Sequence, residues 1–314
     1  MKRLVSRILR SACFESQPPV LLDIGASGGL PRQWRALAPY SIGVAFDADS
    51  RDFDVCGANR SGWKKLFFLN RLVTAQPTDS VQFHLTVSPH CSSTLLPHKE
   101  ALRPWAFRRL FDLERTVTLP AIDLPAALAQ AGVARIDWFK CDSQGTDLRL
   151  FRSLPGELQS QILAADFEPG IIDAYREEDK LPQLMAYMET LPFWVGAMTI
   201  KGSQRIGDLA LERLPIAHRW FPNSFYRTSP GWCEISYLNT CESDALSERD
   251  LLLAIAFALI QRQYGFAADL ARRGGRRFGG PLFDVVGATV RRRLRLGYFR
   301  IGSSIVRGVL RRLT

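Results

Sequence analysis

The chain has 314 residues, 46% apolar and 23% charged, ordinary proportions for a globular protein with one substantial core, and its length allows one large or two small domains. The net charge of +10 sits at one end: residues 271–314 hold twelve arginines against Asp284 and carry +11, leaving the first 270 residues at −1. Its longest uncharged apolar run, ten residues at 251–260, falls short of the roughly 20 needed to cross a bilayer, and Cys13, Cys56, Cys91, Cys141, Cys233 and Cys241 form no CxxC pair or zinc spacing, which excludes a membrane-spanning chain and a zinc module and fits reduced thiols in the cytosol.

In chain order, residues 1–18 open with "MKRLVSRILRSACF", which starts like an export signal until Arg7 and Arg10 interrupt the apolar stretch, leaving a basic amphipathic segment. "VLLDI" at 20–24 predicts a strand, "GASGG" a glycine loop, and "LPRQWRALAPY" a helix begun by a proline. "SIGVAFDAD" at 41–49 predicts a second strand ending in acids, "RLVTA" at 71–75 a third, and the alternating "VQFHLTV" at 81–87 a half-exposed one. "LPAIDLPAALAQAG" at 119–132 predicts a helix with Asp123 at its start and Gly132 past its end. "IDWFKCDSQGTDLRLF" at 136–151 predicts a strand turning on a glycine into a helix, "QILAADFEP" at 161–169 predicts a fifth strand, and a helix is expected near 178–191.

Strands alternating with helices predict an open, doubly wound α/β sheet with helices on both faces. Beyond about 205 the alternation fades, so 206–270 is expected to be a helical extension, clearest over 246–271. Residues 271–314 form an arginine-rich tail, with "RRGGRR" broken by glycines. Val290, Leu294, Tyr298, Ile301, Ile305, Val309 and Leu313 recur there at intervals of three or four, an amphipathic pattern suited to an anionic membrane surface.

Ligands of open α/β sheets sit beyond the carboxyl ends of the strands. The first loop reads Asp23-x-Gly25-Ala26-x-x-Gly29, which is not GxGxxG, and Asp47 follows Gly25 by 22 residues, placed to accept hydrogen bonds from two ribose hydroxyls. That spacing suits an adenosine methyl donor or a nicotinamide dinucleotide, while a plain structural turn competes with both. In the stretch at 136–151, Asp142 is placed either to orient a donor or to take a proton, against a reading as a helix cap. Lys140 shares its face, so an ion pair with Asp142 would depress that carboxylate. His90, in "SPHCSS", is the alternative base, or plain loop surface, and Ser92 and Ser93 are candidates to bond a sugar. No dedicated metal-ligand cluster is visible, and the magnesium version considered would use Asp142 and Glu168.

Four stretches, "LLDIGASGG" (21–29), "VAFDADS" (44–50), "SPHCSSTLL" (88–96) and "IDWFKCDSQGTDLRLF" (136–151), resemble FkbM-type methyltransferases, with "DFEPGIIDAY", bearing Glu168 and Tyr175, as a weaker fifth. The resemblance covers about 19–200, within an expected domain at 19–205. It departs at Asp47, where glutamate followed by proline is usual, and at Ser27 and Asp147, which stand for a common asparagine and glutamate. It implies the class I methyltransferase fold, Rossmann-like, with S-adenosyl-L-methionine held by Asp23, Gly25, Ala26, Ser27, Gly29, Asp47, Ala48, Asp142 and Gln144. Catalysis would fall to Asp142, His90 and Lys140, and acceptor binding to Ser92, Ser93, Glu168 and Tyr175. Methyl transfer to a hydroxyl oxygen, of a glycan or a related metabolite, is the implied reaction. The sequence lacks the Asn/Asp-Pro-Pro-aromatic motif of amine methylation. An RNA methyltransferase and a non-catalytic scaffold of a glycan-assembly complex are the alternatives, with nucleic acid disfavoured because no recognition motif accompanies the arginines. The expected location is cytoplasmic, with peripheral contact at the inner face of the membrane.

Overall fold

The computed structural model describes residues 1–26, 31–47, 62–220 and 222–295; Ser27, Gly29, Ala48, Cys56 and the apolar row from Tyr298 onward lie outside the described residues. The chain divides into two compact units, Pro18–Thr240 and Met1–Gln17 with Cys241–Thr314.

In the larger unit, β1 (Val20–Ile24), β2 (Ile42–Phe46), β3 (Lys65–Leu69), β7 (Trp138–Cys141), β8 (Ala164–Phe167), β9 (Phe193–Ser203) and β10 (Ser229–Asn239) form a seven-stranded sheet in the order β3-β2-β1-β7-β8-β10-β9. The pairs β1/β2, β2/β3, β1/β7 and β7/β8 are parallel, and β10 runs antiparallel to both of its neighbours. The sheet is the expected doubly wound, Rossmann-like one. Strand order reverses between β1 and β7, so the crevice of such a sheet opens where these two strands end.

All five residues of β1 are buried, as in strands covered on both faces. Phe139, Phe151 and Phe167 meet on one face with ring centroids 5.1–5.7 Å apart. On the other, Trp138 packs edge-on against Trp34 and donates through Nε1 to Asp166 Oδ2 at 2.9 Å. Residues of one strand alternate between faces, so Lys140 falls on the Trp138 side and Cys141 with the phenylalanines. Register pairs Lys140 with Asp23 of β1 and with Asp166 of β8, a buried polar row in an otherwise apolar layer.

Several expectations need correction. "RLVTA" does not enter the main sheet: β4 (Leu72–Thr74) pairs with β6 (Leu113–Asp123), which with β5 (Ser80–Thr86) makes a separate three-stranded sheet. The third strand of the main sheet is β3, "KLFFL". Two adjacent apolar runs separated only by Asn70 and Arg71 have equal local claims, and long-range pairing decides between them. The helix expected over 119–132 spans Leu124–Ala131 with Asp123 and Gly132 as its caps, and 119–123 completes β6. "LPRQWRALAPY" forms two 3-10 turns, Arg32–Ala36 and Ala38–Tyr40, because Pro39 has no N–H to continue an α-helical ladder. The boundary expected at 205 falls between two strands of the sheet. β10 alternates with Cys233, Ile235 and Tyr237 buried, so the sheet continues to Asn239.

The smaller unit is helical in its described part. Helix Lys2–Leu9 buries Leu4, Val5, Ile8 and Leu9 and packs on helix Glu248–Ile260, which opens on a capping box between Ser247 and Asp250. Helix Tyr264–Phe278 continues through "RRGGRR" rather than breaking there. A Cβ on Gly274 would stand 2.2 Å from Phe283 Cε1, so the glycine admits the next helical segment, 281–295, at close range. Among the described residues no helix is long and apolar enough to cross a membrane.

Candidate active site

The site is built where β1, β2, β7 and β8 end. Asp142 N donates to Ile24 O at 3.0 Å and Gly25 N to Phe46 O at 3.1 Å, tying the three strand ends together. Gly25 has φ +82°, and a Cβ there would lie 2.2 Å from Asp142 O. Only glycine fits both the left-handed backbone and the close approach.

Two cavities open from this edge. One, of about 100 Å³, is lined by Gly25, Asp47, Asp142 and Gln144 with apolar walls from Phe46 and Phe83. The other, of about 540 Å³, has the aromatic side chains of Phe107, Phe111, Tyr175 and Trp232 and the carboxyls of Asp142, Glu168 and Glu178. His90, Asp142 and Gln144 line both, so the cavities meet at these residues. The second cavity draws on residues 88–111, 142–178 and 202–232.

The loop joining the cavities is held in an uncommon conformation. Gln144 has φ +57° and Gly145 φ +103°. A non-glycine residue in the left-handed region costs about 1–3 kcal/mol and persists only when its surroundings fix it. Here Ser93 Oγ donates to Gln144 O at 2.7 Å, Gln144 Nε2 donates to Asp142 Oδ1, and the Tyr175 hydroxyl lies 3.0 Å from Gln144 Oε1 and 2.9 Å from Cys91 O. Asp147 braces the same loop, accepting from Ser143 N at 3.0 Å, Ser143 Oγ at 2.6 Å and Glu168 N at 2.8 Å.

Electrostatics set the candidate residues apart. Burial raises the Asp142 carboxyl to about 6, against the opposing pull of Lys140. Glu168 rises further, to about 8, through burial and then the negative charge of Asp142. Burial works against the charge of Lys140, yet the carboxylates of Asp23 and Asp142 outweigh it and hold the ammonium well above its usual range.

The pairing expected between Lys140 and Asp142 is not the one formed. Lys140 Nζ sits 2.6 Å from Asp23 Oδ1, its register partner. Asp23 is therefore engaged by Lys140 and lines neither cavity, and Asp142 is raised rather than depressed. Ser92 and Ser93 turn inward. The Ser92 hydroxyl accepts from Thr86 N at 3.1 Å, and that of Ser93 serves Gln144 O and Leu95 N, leaving Ser93 outside the second cavity. Asp142 does not cap the following helix, whose N-cap is Thr146. Ala26 is buried beside Gly25. Glu168 and Tyr175 both face the second cavity, as does His90 from its 3-10 turn at Pro89–Cys91.

Sequence reasoning missed Phe107, Phe111, Trp232 and Glu178. Trp232 comes from β10, distant in sequence, and carries no local signal; Glu178 could have been found from its place in the fifth resembling region, just past "DFEPGIIDAY".

The donor set of the first cavity fits S-adenosyl-L-methionine: Asp47 offers a carboxylate at the end of β2, Asp142 a second, and Phe46 and Phe83 an apolar wall. A dinucleotide pyrophosphate would need the N-terminus of an α-helix after the glycine loop, and residues 32–40 form 3-10 turns instead. Among the described residues no group of three or more His, Cys, Asp and Glu is arranged to hold a metal ion.

No model of a known protein family and no curated protein sequence matches the chain. Among solved structures, a precorrin-6y C5,15-methyltransferase from Geobacter metallireducens is similar with a TM-score of 0.31 and 9% identity, over 76% of this chain and 88% of that one, a likeness too low to carry an argument.

Proposed function

We propose that the protein is an S-adenosyl-L-methionine-dependent methyltransferase that methylates a hydroxyl oxygen of a neutral, polyhydroxylated acceptor, with a glycan as the best fit. The observation that carries this reading is the meeting of two cavities at Asp142 and Gln144, on the ligand edge of a Rossmann-like sheet. One cavity suits an adenosine-bearing donor and the other a larger acceptor, so the reacting atoms would meet beside a buried carboxyl.

When bound, the donor supplies an electrophilic methyl group on a positively charged sulfur. Asp47 would accept from its ribose hydroxyls, while Asp142, fixed by Gln144, would face its cationic end. Holding acceptor and donor in line supplies most of the acceleration such a reaction needs, about 7–11 kcal/mol in favourable intramolecular cases. In the second cavity, aromatic faces suit the C–H surfaces of a sugar ring, and carboxyls accept from its hydroxyls. Among its described lining residues there is no arginine or lysine to pair with a phosphate backbone, which favours a neutral acceptor over RNA. Calorimetric titration with the donor tests the reading, since a scaffold that has lost the pocket would give no heat.

Peripheral membrane contact is part of the same proposal. The apolar face of helix Lys2–Leu9 is buried within its own unit, so this helix offers Lys2, Arg3, Arg7 and Arg10 as an electrostatic face rather than an inserting one. Exposed Arg291, Arg292, Arg293 and Arg295 extend the basic character into the C-terminal segment.

A further inference from the structure

Asp142 is the first residue past β7, and Glu168 the first past β8. The two strands are parallel, with Cys141 opposite Phe167. Continuing that register places Asp142 and Glu168 side by side on neighbouring strands, which lie about 4.8 Å apart. Both line the second cavity, but their surroundings differ. Asp142 accepts from Gln144. The carboxyl of half-buried Glu168 has no hydrogen-bond or ion-pair partner among the described residues, although its backbone N–H is pinned by Asp147 Oδ2 at 2.8 Å. An unpartnered carboxyl on the wall of an acceptor cavity is free to bond an incoming hydroxyl.

We infer that Glu168, rather than Asp142 or His90, takes the proton of the acceptor hydroxyl. The inference rests on the methyl-transfer reading above. The O–H bond breaks with its electron pair staying on oxygen, which forms the new bond to the methyl carbon. The carbon–sulfur bond breaks with its pair passing to sulfur, and the proton goes to the Glu168 carboxylate and then to solvent. A base works best when its proton affinity is matched to the working pH. Burial and the charge of Asp142 push Glu168 up to about 8, with Glu234 and Asp147 adding to the rise and Lys140 opposing it. Glu234 flanks it from β10, beside Cys233 and paired to Lys201 at 3.0 Å, and His90, Tyr175 and Glu178 face the same cavity. Glu168 does not line the donor cavity, so its loss should leave donor binding intact.

The test uses the full chain labelled with [δ-13C]glutamate, its Glu168→Gln and Asp142→Asn variants, and pooled p-nitrophenyl glycosides as probe acceptors. One glutamate resonance should titrate with a midpoint near 8, vanish in Glu168→Gln, and move to lower pH in Asp142→Asn. Glu168→Gln should bind the donor within twofold of wild type and lose about 10²- to 10⁴-fold in label transfer to the glycosides. A Glu168 midpoint in the ordinary range near 4.3, or a donor-binding Glu168→Gln with near-wild-type transfer, overturns the inference. Wild-type protein that gives no heat with the donor overturns the methyl-transfer reading instead, whatever the midpoint.

Discussion

Lys140 reaches across the parallel pair β7/β1 to Asp23, 2.6 Å from its carboxylate, and leaves Asp142, two residues further along its own strand end, without an ion pair among the described residues. The site's acid–base character follows from that choice of partner: the one buried cation of the polar row neutralises a carboxylate inside the sheet, and the carboxyls at the ligand edge stay raised. Replacing Lys140 by methionine should strand the buried Asp23 and cost about 3–5 kcal/mol, as for other broken buried pairs. Adding Asp23→Asn should restore most of it. Denaturant melts of the single and double variants check this, and additive losses would show that the pair is not coupled.

Gly25→Ala asks the backbone to carry a side chain at φ +82° and to clear Asp142 O. The strand ends would have to part. Stability should fall by at least about 1–3 kcal/mol, and donor affinity by tenfold or more. An alanine variant with wild-type melting and donor binding would mean the turn is not as tight as described.

The raised carboxyls also make stability depend on pH in a definite direction. Asp142 and Glu168 bind protons more tightly in the folded chain than in the unfolded one. Between about pH 4 and 8 the folded state therefore holds more protons, and stability falls as pH rises through that window. Glu168→Gln removes part of the penalty. It should be more stable than wild type at pH 8, on the order of 1–3 kcal/mol, and show no such advantage at pH 4. Urea melts across the range measure the crossover, and an advantage independent of pH would contradict it.

Much of the core fold was legible because its strands are short apolar runs bounded by glycine and acids. β1, β7 and β8 announce themselves in this way, and Asp123 and Gly132 cap their helix as the sequence indicates. The polar crowding at 140–147 falls at the strand ends where the two cavities meet. What local pattern could not reveal was register: that Lys140 stands opposite Asp23, and that Glu168 lies beside Asp142, depends on how β1, β7 and β8 align. The hydroxyls of Ser92 and Ser93 looked available because a sequence does not show that Thr86 and Gln144 claim them. Trp232 was out of reach for a similar reason, since β10 inserts between β8 and β9 only in the folded sheet.

The basic segment should bind anionic vesicles through charge. Changing Arg291, Arg292, Arg293 and Arg295 to glutamate should abolish co-flotation of the full chain with phosphatidylglycerol vesicles at low salt, where wild type floats and is released as salt rises. Equal flotation of the two proteins would contradict membrane contact through this segment.

The most direct test of the account is the heat of S-adenosyl-L-methionine binding to the full chain, alongside Asp47→Ala. Asp47 follows β2 at the wall of the smaller cavity, and in the proposed reading its carboxylate would hold the ribose. Saturable one-to-one binding is expected, weakened about 10- to 100-fold by Asp47→Ala, the loss of a hydrogen bond to a charged group. No heat from the wild-type protein with either S-adenosyl-L-methionine or its demethylated product would contradict it.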